Sequence, residues 1–169
     1  METNAVPKPA PAPGEMSRFY WEAARQRRLV VQRCDACGRY VHWPQLRCPQ
    51  CGSERLSEAE LSGKGTVYSF CIVHHVFHPG FAADVPYALA LIELAEQAGL
   101  RMVANIVECA NEDVRTGMAV EVVFEEREGY TLPQFRPATS PQVGGTSTRT
   151  QRDRPSPEGR GEQAERARR

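Results

Sequence analysis

Cys34, Cys37, Cys48 and Cys51 form two Cys-x2-Cys pairs separated by ten residues. A Cys-x2-Cys turn lets two thiolates converge on one ion. A second such turn completes a tetrahedral S4 set, which suits Zn2+. Gly38 and Gly52 each follow the second cysteine of a pair, where a tight knuckle needs a positive backbone angle. The same donors accept iron in a rubredoxin-like site. A redox dithiol accounts for the pattern less well, because a single oxidoreductase pair needs no second copy. With all four positions filled by protein, a zinc ion held here has no open site for chemistry. The spacing therefore predicts one structural Zn2+ in a zinc ribbon and does not by itself imply an enzyme.

A chain of 169 residues has room for one modest domain and a small appendage. Its net charge is zero but unevenly placed: residues 139–169 hold seven arginines against four acids, which leaves the rest net acidic by three. That tail has no aromatic residue and no Leu, Ile or Met. It cannot bury enough apolar area to offset ordering entropy, so residues 139–169 are expected to be disordered. Residues 1–16 carry Pro7, Pro9, Pro11 and Pro13 and are expected to be extended or disordered. No apolar run approaches the roughly 20 residues of a membrane span, and the N-terminus lacks the charged and apolar regions of a signal peptide. A zinc-thiolate set favours a reducing compartment, so a cytoplasmic protein is expected. Cys71 and Cys109 are left over and read as two small core hydrophobes rather than a disulfide.

Residues 17–61 read as a short helix plus the ribbon. Ser17 is a candidate N-cap for a helix through Trp21 that ends near Arg28. Leu29–Gln32 leads as a strand into the first knuckle, and Leu56–Leu61 leads out of the second. Residues 62–138 change to a period of two. Val67, Ser69, Cys71, Val73 and His75 alternate with Tyr68, Phe70, Ile72, His74 and Val76, which predicts a long strand covered on both faces. Further strands are expected over Pro86–Leu94, Leu100–Glu108, Ala119–Glu126 and Tyr130–Phe135, with Pro133 placing the last at an edge. A helical turn over Asn111–Val114 separates the third and fourth. Five strands with that turn match a small Greek-key barrel, the OB-fold. The expected class is mainly β: N-terminal helix, rubredoxin-like zinc ribbon, five-stranded OB-fold barrel.

Several segments in this order resemble a known family. They are Phe19-Tyr20-Trp21-Glu22, Leu29-Val30-Val31-Gln32-Arg33-Cys34, Gly63-Lys64-Gly65-Thr66-Val67-Tyr68-Ser69-Phe70, Pro86-Tyr87, Gly117-Met118, Val120-Glu121-Val122-Val123-Phe124 and Leu132-Pro133-Gln134-Phe135-Arg136-Pro137. Together with the ribbon they resemble the bacterial and archaeal zinc-ribbon/OB-fold proteins of the domain-of-unknown-function-35 family. Ala119 stands where that family often has proline. The resemblance implies a partner role. Members bind thiolase-fold enzymes, among them acetyl-CoA acetyltransferases, lipid-transfer-protein-like thiolases and steroid side-chain aldolases. It also implies an OB-fold set beside the partner's active site, against an acyl-CoA passage.

The histidines carry little chemistry of their own. His74 and His75 are adjacent on the expected strand, point to opposite faces, and cannot share one metal without a bulge. His78 sits in a loop ahead of Pro79 and Gly80. No nucleophile stands with an orienting acid in a visible catalytic set. Loops between the first two strands are a common binding edge of OB-folds. With the family resemblance, His75, His78 and Phe81 are expected to contact a partner protein or its acyl-CoA. Tyr87 and Phe135 are further aromatic contacts. His42 reads as a surface residue or a neighbour of the metal ligands, and Cys71 as core.

From Arg25 to Arg47 there are six arginines and one acid. Zinc ribbons and OB-folds also bind nucleic acids, and Tyr40 and Trp43 could stack on bases. Against that stands the net negative body. The same arginines could pair with a partner or meet coenzyme A phosphates. The expectation is a non-catalytic subunit of a thiolase-fold or lipid-transfer-protein-like enzyme acting on acyl-CoA. A nucleic-acid-binding protein is the alternative, and a free-standing acyl-CoA-binding or thioesterase-like protein is a third reading.

Overall fold

The computed structural model describes residues 6–139. A 3-10 turn (Glu15–Ser17) runs into helix α1 (Arg18–Arg25). Strands β1 (Val30–Cys34), β2 (Tyr40–Val41) and β3 (Leu56–Glu60) form a three-stranded sheet with β1 in the middle. Strands β4 (Lys64–Val73), β5 (Tyr87–Leu94), β6 (Arg101–Ile106), β7 (Ala119–Arg127) and β8 (Tyr130–Pro137) close into a barrel in the order β4-β5-β6-β8-β7. Short 3-10 turns lie at Pro79–Phe81 and Asn111–Asp113. The architecture is the mainly β one that the sequence pattern predicts.

Eight residues are too few to hold a helix alone, so α1 depends on packing. Its buried residues are Tyr20, Ala23 and Ala24, spaced to share one face. Tyr20 meets Trp21 edge-on at 5.1 Å and Trp43 at 5.7 Å between ring centroids. The helix stops where Arg27 takes a φ of 58°. The Arg27 and Arg28 N–H groups then donate to the carbonyls of Ala24 and Ala23, which caps the last turn.

One core serves both halves. Leu29, Val31 and Leu61 from the ribbon side pack in the same cluster as Val67, Ile92 and Phe135 from the barrel. Strand β5 alternates strictly, with Ala88, Ala90, Ile92 and Leu94 buried. A side-chain clasp joins the halves at the surface: the Tyr40 N–H donates to Gln97 Oε1 at 2.9 Å, and Gln97 Nε2 donates to the Tyr40 carbonyl at 3.2 Å.

Strand β4 departs from the simple alternation read in the sequence. It pairs with β5 from Gly65 to Val73, but the register shifts between Val67 and Ser69, so Tyr68 is a bulged residue. A bulge inserts one residue and reverses the inside–outside phase beyond it. Val67 is buried before the bulge, and Phe70 and Ile72 pack on the core after it, while Cys71 is exposed. Cys71 is therefore not the core residue the alternation predicts, and Cys109 is only partly buried. The strand also ends at Val73, which leaves His74, His75 and Val76 in the following loop.

Pro133 does not lie at an edge. It sits opposite Phe124 in the β7–β8 ladder of a closed barrel. Proline is tolerated because the other side of β8 has little ladder to lose: β6 and β8 share one parallel bridge, Ile106 with Phe135. The Val107 N–H donates to the Phe135 carbonyl at 2.8 Å. Buried Gln134 extends this seam, its Oε1 accepting from the Asn105 N–H at 2.9 Å.

Phe135, expected as an exposed contact, is fully buried and is the largest such side chain among the described residues. Inward alternation along β8 places it on the barrel axis. The proline-rich N-terminus also differs from a free segment: residues 6–14 lie beside the barrel without regular structure, and Lys8 pairs with Asp84 at 2.6 Å. The disorder expected for residues 140–169 and 1–5 falls outside the described residues. Phe135→Ala should destabilise the protein by about 3–5 kcal/mol, as core phenylalanine truncations do. Urea denaturation checks this.

Candidate metal centre and barrel-mouth groove

The two knuckles are built alike. In the first, Gly38 N–H donates to the Cys34 carbonyl at 2.7 Å and Cys34 N–H to the Arg39 carbonyl at 2.8 Å. In the second, Gly52 N–H donates to the Cys48 carbonyl at 2.9 Å and Cys48 N–H to the Ser53 carbonyl at 2.8 Å. Gly38 and Gly52 have φ of 77° and 73°, the left-handed angle that lets the chain fold back on itself.

The four sulfurs face one point. Cys34 and Cys51 Sγ are 3.6 Å apart, as are Cys37 and Cys48 Sγ, and all four lie within 4.8 Å of one another. A zinc–sulfur bond of about 2.3 Å implies tetrahedral edges of about 3.8 Å, whereas a disulfide would bring two sulfurs to about 2.0 Å. The spacing thus fits a four-thiolate metal centre. The first cysteine of each knuckle is buried and the second is exposed.

Electrostatics favour the same use. Burial opposes ionisation of Cys34, but the N–H groups of Cys37 and Ala36, with the Cys51 and Cys37 thiols, outweigh it and hold its pKa at about 6. Burial likewise opposes the Cys48 thiolate, and the Cys51 and Gln50 N–H groups outweigh it, so its pKa is lowered. Cys37 goes the other way. The Arg39 N–H favours its thiolate, yet burial and the three neighbouring sulfurs push it up to about 12. Backbone dipoles prepare part of the S4 charge, and a cation must supply the rest.

His42 is not a ligand in this arrangement. Burial lowers its pKa to about 4. It stacks on Trp43 at 4.3 Å and lies 6.0 Å from Tyr20 between ring centroids. It belongs to the aromatic packing between the ribbon and α1.

The other expected contacts scatter. Phe81 and Tyr87 come together in a groove at the barrel mouth, with Asn105, Gln134 and Ile106 as its floor and Glu125 and Arg127 opposite. The hollow there is about 280 Å3. His78 shapes it indirectly: its Nδ1 accepts from the Gly80 N–H at 3.1 Å, and its ring lies edge-on to Phe81 at 6.2 Å. His75 stands outside, exposed, with its ring 4.8 Å from that of Phe77.

Sequence reasoning missed the most exposed apolar side chains, Phe77 at 79% and Leu46 at 75%, along with Val103 and Tyr68. The bulge explains Tyr68, whose ring is covered by the Arg101 guanidinium at 3.4 Å. Phe77 could have been found as an aromatic beyond the last paired residue of β4.

All six arginines between Arg25 and Arg47 have partners within the chain. Arg27, Arg28 and Arg47 pair with Glu126, Glu60 and Glu54. Arg25 donates to the Gly129 carbonyl, Arg33 to the Gly38 carbonyl and Arg39 to Gln50. Exposed pairs like these are weak, but the three with carboxylates halve the uncompensated charge that a nucleic-acid backbone would meet. No helix among the described residues is long and apolar enough to cross a membrane.

Residues 21–57 match the family model described as the ChsH2 rubredoxin-like zinc ribbon domain, and residues 58–125 match that of the ChsH2 C-terminal OB-fold domain. The chain is 42% identical over 107 residues to a DUF35 domain-containing scaffold protein of Methanocaldococcus jannaschii, covering 62% of this chain and 73% of that one. The chain belongs to the DUF35 family. Its zinc-ribbon and OB-fold halves are those of the family. It is also 44% identical over 141 residues to a probable enoyl-CoA hydratase alpha subunit of Thermomonospora curvata. That match covers 81% of this chain but only 43% of the relative's length. Among solved structures it resembles the Ltp2-ChsH2(DUF35) aldolase, with a TM-score of 0.68 and 44% identity over 76% of this chain and 98% of that one.

Metal binding must displace protons from Cys37 and its neighbours, so affinity should fall as pH falls. Metal release followed by a chromogenic chelator should speed up from pH 8 to pH 5. Cys48→Ser should abolish stoichiometric binding measured by elemental analysis.

Proposed function

We propose that this DUF35 protein is a non-catalytic accessory subunit of an acyl-CoA enzyme of thiolase fold, either a thiolase or acetyltransferase or a lipid-transfer-protein-like aldolase. The ribbon carries one structural Zn2+ on Cys34, Cys37, Cys48 and Cys51. The observation that carries this reading is the closed donor set: four thiols from one chain converge on a point. A zinc ion held by them has no position left for a substrate or an activated water. The ion therefore braces the ribbon, which shares its core with the barrel, and the bond making and breaking occurs on the partner chain.

The partner reading draws support from the structure that the chain resembles at 44% identity, the Ltp2-ChsH2(DUF35) aldolase, whose name joins two components. The relative named as a hydratase alpha subunit supports work on acyl-CoA. On this chain the contact falls at the barrel mouth, through Phe81 and Tyr87 in the groove and His75 with Phe77 beside it. Phe77 exposes a large apolar ring of the kind that anchors interfaces. His78 serves by holding the turn that presents Phe81.

Alone, the protein should neither cleave nor condense acyl-CoA thioesters. Mixed with its thiolase-fold partner it should form a stable complex in size-exclusion chromatography and raise the partner's turnover or solubility. Phe77→Ser or Phe81→Ala should weaken assembly by about tenfold or more without lowering the melting temperature. Tight, salt-sensitive binding to RNA or DNA with no enzyme partner in pull-downs would replace this reading with the nucleic-acid one.

A further inference from the structure

We propose that the barrel-mouth groove is a recognition site for an extended proline-rich segment anchored by a lysine, and that its resident ligand is the chain's own residues 7–11. The segment Pro7-Lys8-Pro9-Ala10-Pro11 has three residues without an N–H, each fixed near the φ of polyproline II. Such a helix turns every three residues and presents the same face at that interval. Lys8 and Pro11 are partly buried, while Pro7, Pro9 and Ala10 are exposed, which is that interval.

The groove supplies what such a segment needs. A polyproline helix offers flat apolar rings and unpaired carbonyls, and proteins that bind it present aromatic faces with side-chain donors between them. Here Pro9, Ala10 and Pro11 lie against a hollow walled by Phe81, Tyr87 and Tyr130, with Asn105 beside them and Arg127 held in place by Glu125 and Tyr130. Lys8 fills the acidic end. Its Nζ is 2.6 Å from Asp84 Oδ2 and 5.5 Å from the centroid of Phe81, and it faces Glu125 across the groove.

A separate observation points to the same seat. A Cβ on Gly80 would meet the Pro7 carbonyl oxygen at 2.9 Å and the Lys8 Cα and N at 3.0 Å. These three nearest atoms are all in the proline segment's backbone. Gly80 has no positive φ, so the turn itself accepts alanine. The missing side chain makes room for the strap.

If the barrel-mouth face also meets the enzyme partner, as proposed above, the strap must leave Phe81 and Tyr87 before the partner docks there, and it gates that contact. The two ideas are separable by experiment.

The test is 15N relaxation on the full-length protein and on Gly80→Ala, Lys8→Glu and the charge-swapped Lys8→Glu/Asp84→Lys. In the parent, the Lys8 and Ala10 amides should show order parameters near ~0.85, as in the barrel. In Gly80→Ala and in Lys8→Glu they should fall below ~0.6, while Val67 and Ile92 keep their shifts. The charge swap should restore part of the lost order, since it remakes the pair with position 84 but not the contacts to Phe81 and Glu125. Parent Lys8 and Ala10 amides already below ~0.6, or unchanged order in Gly80→Ala, would overturn the assignment. In the same Gly80→Ala protein, partner affinity should rise in proportion to the fraction of molecules with the strap open. Strap release without that gain upholds the groove assignment and removes Phe81 and Tyr87 from the partner contact.

Discussion

The extra residue at Tyr68 is the constraint on which the barrel depends. Strand β4 pairs with β7 at one end, through Lys64, Gly65 and Thr66, and with β5 on its other side from Gly65 to Val73. One strand cannot serve two neighbours around a narrow cylinder without bending and coiling, and a bulge provides both. Gly65 allows the close approach at that corner, since a Cβ there would meet Ile92 Cγ2 at 2.7 Å and the Glu93 carbonyl oxygen at 2.8 Å. The cylinder that results is filled by Val67, Ile92, Val120 and Phe135. Its loops then gather at a mouth where the Pro79–Phe81 turn faces the β7–β8 hairpin.

The ribbon is held by different means. Its three short strands have few apolar residues of their own, and Leu29, Val31 and Leu61 rest on the barrel's core. The knuckles add backbone hydrogen bonds and four convergent thiols, so a cation held there would share the work of ordering it with the neighbouring domain. Tyr20, Trp43 and His42 form an aromatic bridge between helix and ribbon. The neutral state that burial imposes on His42 suits this apolar packing.

Much of this was legible from residue types and spacing. The cysteine pairs with their following glycines specify the knuckles, because few other patterns need two thiols and a left-handed residue at those offsets. The strand over Pro86–Leu94 is legible, but Tyr87, Leu89 and Leu91 are as apolar as Ala88, Ala90, Ile92 and Leu94, so only the barrel shows that the second set faces inward. What escaped was whatever depends on register. A bulge has no single-residue signature, so Cys71 and Tyr68, both read as covered positions of a two-sided strand, are exposed. Phe135 looked like an exposed contact because a proline two residues earlier suggested an edge, and closure of the barrel turned that position inward. The arginines between Arg25 and Arg47 read as a basic stripe in one dimension, but their acidic partners, Glu54, Glu60 and Glu126, come from other parts of the chain.

The seam between β6 and β8 is joined by one backbone bridge and the amide of Gln134. The other neighbouring strands share at least three paired residues each. Asn105, Ile106 and Gln134, which make the seam, are also the floor of the groove. The wall has its fewest backbone pairs along this line, so the groove floor rests on a side-chain amide where the other walls rest on a ladder. One side chain, Gln134, is thus shared between the floor of the groove and the closure of the cylinder.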